Sequence, residues 1–124
     1  MCNNLHAVGQ ATPRPIRKTG VGYKLFGVNN TGLFTNQKYH CEDKEGFICW
    51  NQNLYYSDHV GGFCFFLSKR EATRLRKDLG WVTCVIKKIA YQEGLGRRTE
   101  TNIVVGRVYE MGLCRQFKIL EGRV

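Results

Sequence analysis

The stretch GGFCFFLSKREATRLRKDLGW, residues 61–81, decides the fold, because a strand and a helix follow each other within it. Alternation along GGFCFFL places Phe63 and Phe65 on one face of a strand and Cys64 on the other. A strand that is apolar on both faces is typical of the centre of a sheet. We therefore expect this strand to be buried and central.

The helix is predicted from its two ends. Ser68 followed by Glu71 is a capping box and Gly80 is a typical stop signal, so the helix should cover about 69–79. A period of 3.6 residues then separates an apolar stripe from a charged one. The residues predicted to face the core are Ala72, Leu75 and Leu79.

The opposite side of this helix carries Arg70, Arg74 and Lys77, at spacings of i, i+4 and i+7. Like charges at such spacings repel each other and cost a few tenths of a kcal/mol per pair. We predict that this row is exposed. It is either an ordinary solvated face or part of a surface that binds anions.

Further strands are predicted on both sides of this unit. Their ranges are 22–28, 33–35, the apolar segment 47–50, 81–91, and a hairpin over 101–121 that turns at Met111 and Gly112. Residues 92–100 are expected to form a loop. The chain is therefore predicted to be α+β, with a mostly antiparallel, curled or barrel-like sheet of six or seven strands and one main helix.

The length of 124 residues fits a single α+β domain over 22–124, preceded by an extended basic arm over 1–21 that holds both prolines. The net charge is +9, and segment 29–67 is the acidic part of the chain. Segregated positive charge favours an anionic partner. No apolar run is long enough for a transmembrane helix, and the first residues lack a secretory pattern. We expect no membrane partner and a cytoplasmic location in a bacterial host.

The main candidate for an anion site is the segment GLGRR, in which Arg97 and Arg98 follow Gly94 and Gly96. Glycines allow backbone amides to approach a phosphate, and arginines donate charge-assisted hydrogen bonds to it. The alternative is an ordinary flexible turn. The other cations assigned to the same anion-binding set are Lys87, Lys88, Arg70, Arg74 and Lys77.

The segment WNQNLYY, residues 50–56, combines aromatic and amide side chains. Trp50, Tyr55 and Tyr56 are candidates for stacking on a base while the amides bind its edge. The alternative is a surface loop whose aromatic side chains turn into the core.

The six cysteines show no paired short spacing, and we predict free thiols in a reducing compartment. A zinc site would have to use His40, Cys41, Cys49 and His59. Their spacing matches no common zinc motif, so neither a metal nor another cofactor is expected.

Cys2 becomes the first residue if Met1 is removed, and its own amino group can then act as a base. This opening resembles N-terminal nucleophile hydrolases and the SOS-response-associated peptidase family, which crosslinks abasic DNA. The resemblance implies a catalytic Cys2. Asn3 and Asn4, however, stand where those families favour glycine.

The combination of MCNNL, GVGYKLF, GGFCFFLSKREA and a closing hairpin resembles small uncharacterised proteins of phages and prophages. That resemblance implies an accessory role, including counter-defence. The segments YKLF and GFCFFLSKREA also resemble the strand and strand-helix segments of ADP-ribosyltransferase-like domains. The catalytic residues of that family find no match in this sequence, so transferase activity is not expected.

Together these features favour a non-catalytic protein that binds an anionic, nucleotide-type ligand in a basic pocket at the interface of a homo-oligomer. For a phage protein, the ligand would be a cyclic-nucleotide or ADP-ribose-type immune signal. The alternative is a protein that binds nucleic acid or inhibits a defence complex containing it. The two functions require different geometry, because a small ligand needs a concave site and a nucleic acid needs a continuous basic stripe.

Overall fold

The computed structural model describes residues 5–7, 15–32, 38–39, 43–50, 62–80, 83–102 and 106–120. In this part of the chain the structure is α+β, with one helix, α1 (Lys69–Asp78). The strands are β1 (Leu5–Ala7), β2 (Gly20–Phe26), β3 (Ile48–Cys49), β4 (Phe63–Phe65), β5 (Val85–Asn102) and β6 (Arg107–Ile119). A short 3-10 turn, Val28–Asn30, follows β2.

The helix begins and ends close to its predicted bounds. The Ser68 hydroxyl accepts a hydrogen bond from the backbone N–H of Glu71 at 3.3 Å, which is the predicted N-cap contact. The backbone N–H of Leu79 donates to the carbonyl of Leu75 at 2.9 Å and closes the last turn. The residues predicted to be buried are Ala72, Leu75 and Leu79, and those predicted to be exposed are Arg70, Arg74 and Lys77. Both sets are confirmed.

The described strand pairs are all antiparallel, and the long hairpin of β5 and β6 forms their centre. Strands β1 and β2 pair with β5, whereas β3 and β4 pair with β6. An isolated bridge links Tyr23 of β2 to Phe66, directly after β4, through backbone hydrogen bonds of 2.8 and 2.6 Å. Strand β4 itself pairs with β6, and the chain contacts β2 just beyond the end of β4. The sheet is not closed, so a barrel is not observed.

Alternation along β4 divides two hydrophobic clusters, one on each face of the sheet. Phe63 and Phe65 join an aromatic cluster, whereas Cys64 and Phe66 join a cluster beneath the helix. The aromatic cluster consists of Phe26, Ile48, Phe63, Phe65, Ile89, Tyr91, Cys114 and Phe117. The helix-side cluster contains Leu25, Cys64, Phe66, Ala72, Leu75, Leu79, Cys84, Tyr109 and Met111. The prediction that the segment GGFCFFL is buried on both faces is confirmed for residues 62–66.

The hairpin turn predicted at Met111 and Gly112 is wrong. Both residues lie within β6, and the chain reverses between β5 and β6, near Gly106, whose φ of +68° favours glycine. Gly112 serves packing instead, because a Cβ at this position would lie 2.6 Å from the ring of Phe65. In the sequence, a glycine that is required because another side chain packs closely against it looks the same as a glycine that is required in a turn.

The loop predicted over 92–100 is also wrong, because these residues belong to β5. The pairing with β6 shifts between Gly94 and Gly96, which indicates a β-bulge. Gly94 lies against the backbone of Arg17, and its N–H donates to the carbonyl of Lys18 at 2.9 Å. The glycines therefore bend a continuous strand rather than end it.

Six strands are described, but they do not correspond to the predicted segments, so the predicted count of six or seven strands is not confirmed. Residues 92–100 extend the predicted strand 81–91 into β5, β6 runs through the predicted turn at 111–112, and the predicted strand at 33–35 lies outside the described residues. Within the predicted arm, β1 pairs with the far end of β5, and β2 begins two residues earlier than expected. In the described part of the chain, no helix is long and apolar enough to cross a membrane.

Candidate functional site

One wall of the candidate pocket is the 3-10 turn that follows β2. Asn29 and Asn30 both have φ of 59°, a left-handed conformation that asparagine tolerates better than most residues. The turn is closed by the backbone N–H and the hydroxyl of Thr31, which donate to the carbonyl of Val28 at 3.3 and 2.8 Å. The turn at Val28–Asn30 thus shapes one side of a cavity.

The opposite wall is the segment that leads from the helix into β5. Val85, the first residue of β5, pairs with Phe26 at the end of β2, so this segment lies beside the 3-10 turn. The cavity between them has a volume of about 460 Å³, within the range of small-molecule sites. Its lining residues are Gly27, Val28, Asn29, Asn30, Thr83, Cys84, Val85 and Lys87.

The lining combines a cation, polar groups and an apolar surface. Lys87 supplies an ammonium group, and the side chains of Asn29, Asn30 and Thr83 can donate and accept hydrogen bonds. Val28 and Val85 are 60% and 42% exposed. A flat apolar part of a ligand could pack against these side chains and be shielded from water on that side. None of the described lining residues carries a carboxylate. Such a pocket suits an anion with an apolar part.

Lys87 lies directly opposite Lys24 in the pairing of β2 with β5. Opposed residues of an antiparallel pair share one face, and like charges in this relationship destabilise the sheet. Lys24 is only 4% exposed, and its Nζ donates to the carbonyl of Cys64 at 2.7 Å. Lys87 is half-buried and lines the pocket.

Lys24 itself is a feature that our sequence reasoning missed. Its ammonium lies 5.8 Å from the ring centroid of Tyr39 and 5.7 Å from that of Phe117, within the range of cation-π contacts. The available signal was a lysine in the centre of the apolar strand GYKLFGV. Lys24 and Lys87 lie on the same face of the sheet, so the buried charge of Lys24 adds positive potential on the side that carries Lys87.

Cys84 lines the pocket as a buried free thiol. Burial raises the pKa of this thiol from its ordinary value of 9.0, and the nearby Arg76 charge opposes the rise. The thiol is therefore protonated at neutral pH and is a poor nucleophile. Lys87 is the cation among the described lining residues.

The predicted anion-binding cations are not brought to one place. Lys87 lines the pocket, whereas its neighbour Lys88 follows on the opposite face of β5 by strand alternation. Arg70, Arg74 and Lys77 lie on the outward face of the helix. The structure thus separates a pocket with Lys87 from a basic helix surface.

Arg97 and Arg98 lie in β5, where they pair with Gly112 and Met111 of β6. They belong to a strand rather than to the predicted glycine loop, and the structure describes their backbone but not their side chains. Trp50 is half-buried and packs edge-to-face on Phe63, with ring centroids 5.4 Å apart. The remaining candidates, Tyr55, Tyr56 and Cys2, lie outside the described residues.

The prediction of six free thiols is wrong for Cys64, which is disulfide-bonded. Its partner is not Cys49, Cys84 or Cys114, which are free. Sequence spacing could not reveal this bond, because a disulfide depends on the approach of two Cα atoms in the fold.

Other chemistry finds little support in the described part of the chain. It holds no group of three or more His, Cys, Asp or Glu residues that could bind a metal ion. Of the four zinc candidates only Cys49 is described, and its thiol donates to the carbonyl of Phe47 at 3.7 Å. No protein-family model, curated protein or solved structure matches the chain.

Proposed function

We propose that this protein binds a small anionic, nucleotide-type ligand in the pocket between the 3-10 turn and the start of β5. The observation that carries the proposal is the lining of this pocket, in which Lys87 lies among hydrogen-bonding and apolar groups without a described carboxylate. The net charge of +9 adds a long-range attraction for such a ligand.

The pocket offers a separate contact for each part of a nucleotide. A phosphate would bind the Lys87 ammonium, while the base would lie on Val28 and Val85. The amides of Asn29 and Asn30 would bind polar edges. Since the Cys84 thiol is protonated at neutral pH, the lining supports binding rather than nucleophilic catalysis.

The form of this function to test first is sequestration of a cyclic-nucleotide or ADP-ribose-type signal, as the resemblance to phage accessory proteins implies. Native mass spectrometry of the protein purified from its host should detect a co-purified nucleotide and count the subunits. Calorimetry with cyclic dinucleotides, cyclic trinucleotides and ADP-ribose would then measure affinity for each class.

Variants locate the binding site. Lys87→Ala removes a charge-assisted contact worth about 1.5–3 kcal/mol, so the dissociation constant should rise roughly tenfold or more. The matched control is Lys44→Ala, which removes the same charge from an exposed turn away from the pocket. Equal losses in both variants would show that only net charge matters. Absence of binding to every nucleotide tested would reject the proposal.

A further inference from the structure

The two acidic residues of α1 both turn toward β6. One carboxylate oxygen of Glu71 accepts a hydrogen bond from the backbone N–H of Glu110 at 3.3 Å, and the other lies 3.5 Å from Arg74. Asp78 accepts a hydrogen bond from the hydroxyl of Tyr109. The negative charges of the helix are thus engaged at its flank against the sheet.

The outward surface of the helix carries mainly cationic side chains. We call Lys69, Arg70, Arg74 and Lys77 the basic face; all four are exposed. Arg70 and Lys77 are seven positions apart, which corresponds to about 10 Å along the helix axis. Like charges at i+3 and i+4 spacings repel each other, Glu71 offsets part of this repulsion at Arg74, and an anionic partner would relieve the rest.

The basic face is held on a rigid support. Ala72, Leu75 and Leu79 are fully buried beneath it, and the Ser68 cap fixes the first turn. The Arg74 guanidinium lies 5.1 Å from the ring centroid of Tyr109, which limits its motion. The backbone that carries the basic face is therefore fixed, and among its side chains Arg74 is held against Tyr109.

We infer that the basic face binds the phosphate backbone of a nucleic-acid duplex. An interface with a protein would need apolar or aromatic residues at its centre, and the outward positions of α1 hold only cations and Thr73. Arginine matches phosphate geometry well. Binding to a single strand would require exposed aromatic side chains for stacking, and among the described residues no large exposed apolar side chain is aromatic. A duplex presents regularly spaced phosphates to this row of cations.

The contact would be electrostatic and independent of sequence. About four phosphate contacts predict a slope near −3.6 for log K against log salt concentration, and hence roughly a hundredfold loss of affinity between 50 and 200 mM salt. Small-ligand binding at the Lys87 pocket requires none of the basic-face residues. The two proposals can therefore fail separately.

The test is a fluorescence anisotropy titration of the full chain with labelled 24-base-pair duplexes of DNA and RNA at both salt concentrations. The double variant Arg70→Ala/Lys77→Ala should bind at least tenfold more weakly at 50 mM salt and lower the magnitude of the salt slope by about 2. The control Lys38→Ala/Lys44→Ala removes the same charge from two exposed lysines outside the helix and should keep the slope. Circular dichroism checks that both variants fold.

Four results would overturn the inference. The first three are no duplex binding at 50 mM salt, equal losses of affinity in the two double variants, and tighter binding to anionic phospholipid vesicles than to the duplex. A preference for a single strand of the same length would also contradict it, because the basic face offers no stacking surface.

Discussion

The hydroxyl of Tyr109 on β6 donates a hydrogen bond to the carboxylate of Asp78, the last residue of α1. Tyr109 is only 1% exposed, and its ring also lies beneath the guanidinium of Arg74. One buried side chain therefore anchors the end of the helix and positions a cation of the basic face. Tyr109 therefore contributes both to the stability of the fold and to the position of the Arg74 charge.

Tyr109→Phe should lower the free energy of unfolding by about 1.5–3 kcal/mol, because it removes a hydrogen bond to a carboxylate while the ring packing remains. Urea denaturation measures the change. Tyr23→Phe is the matched control, since Tyr23 is half-buried against the same cluster and its hydroxyl has no hydrogen-bond partner in the described structure. Similar losses in both variants would show that the Tyr109 hydroxyl contributes nothing specific.

Gly112→Ala should destabilise the protein by about 1–3 kcal/mol, because the added Cβ would lie 2.6 Å from the buried ring of Phe65. Gly80→Ala is the matched control: the nearest atom to its Cβ would be the carbonyl oxygen of Lys77 at 3.4 Å, and the change should stay within about 0.5 kcal/mol. Thermal unfolding of the two variants compares them. A neutral Gly112→Ala would favour the turn predicted from the sequence.

The helix could be predicted because its determinants are local. Ser68, Glu71 and Gly80 mark its ends within a few residues of the chain, and the helical period then separates the faces. The two wrong turns have the opposite cause. Gly94 and Gly112 are glycines because of residues distant in sequence that approach them, and a single sequence does not contain that information.

The candidate pocket could be predicted only in part. Lys87 was among the candidate cations, but the pocket forms because β2 pairs with β5 and brings 27–30 beside 83–87. Pairing between strands so far apart depends on the packing of the whole sheet. The buried charge of Lys24 was missed for the same reason, since its cover comes from Tyr39 and Phe117.

The disulfide of Cys64 predicts the number of reactive thiols. A disulfide uses two of the six cysteines, so at most four should be alkylated after denaturation without reduction, and all six after reduction. Intact mass measurement counts the adducts, and a non-reducing peptide map identifies the partner. In the Cys64→Ala variant the released partner should raise the count to five. Six adducts in the unreduced wild type would restore the prediction made from the sequence.

Cys114 predicts how stability depends on pH. Burial raises the pKa of this thiol to about 12 from an ordinary value of 9.0, and the charge of Lys24 and a backbone hydrogen bond from Gln116 only partly oppose the rise. Above pH 9 the unfolded chain loses this proton while the folded chain retains it. The folded state then binds more protons, so stability falls as pH rises from about 9 to 12.

The contribution of this single thiol to that fall is at most about 1.4 kcal/mol per pH unit. Cys114→Ala lowers stability at every pH through the cavity it leaves, but its decline above pH 9 should be shallower than that of the wild type. Urea denaturation at pH 8, 9, 10 and 11 gives the two slopes, and titrating groups that do not interact with Cys114 cancel in the comparison. Cys49→Ala, which removes a half-buried free thiol, should keep the wild-type slope. Parallel declines for Cys114→Ala and the wild type would show that Cys114 ionises in the folded protein as readily as in the unfolded chain.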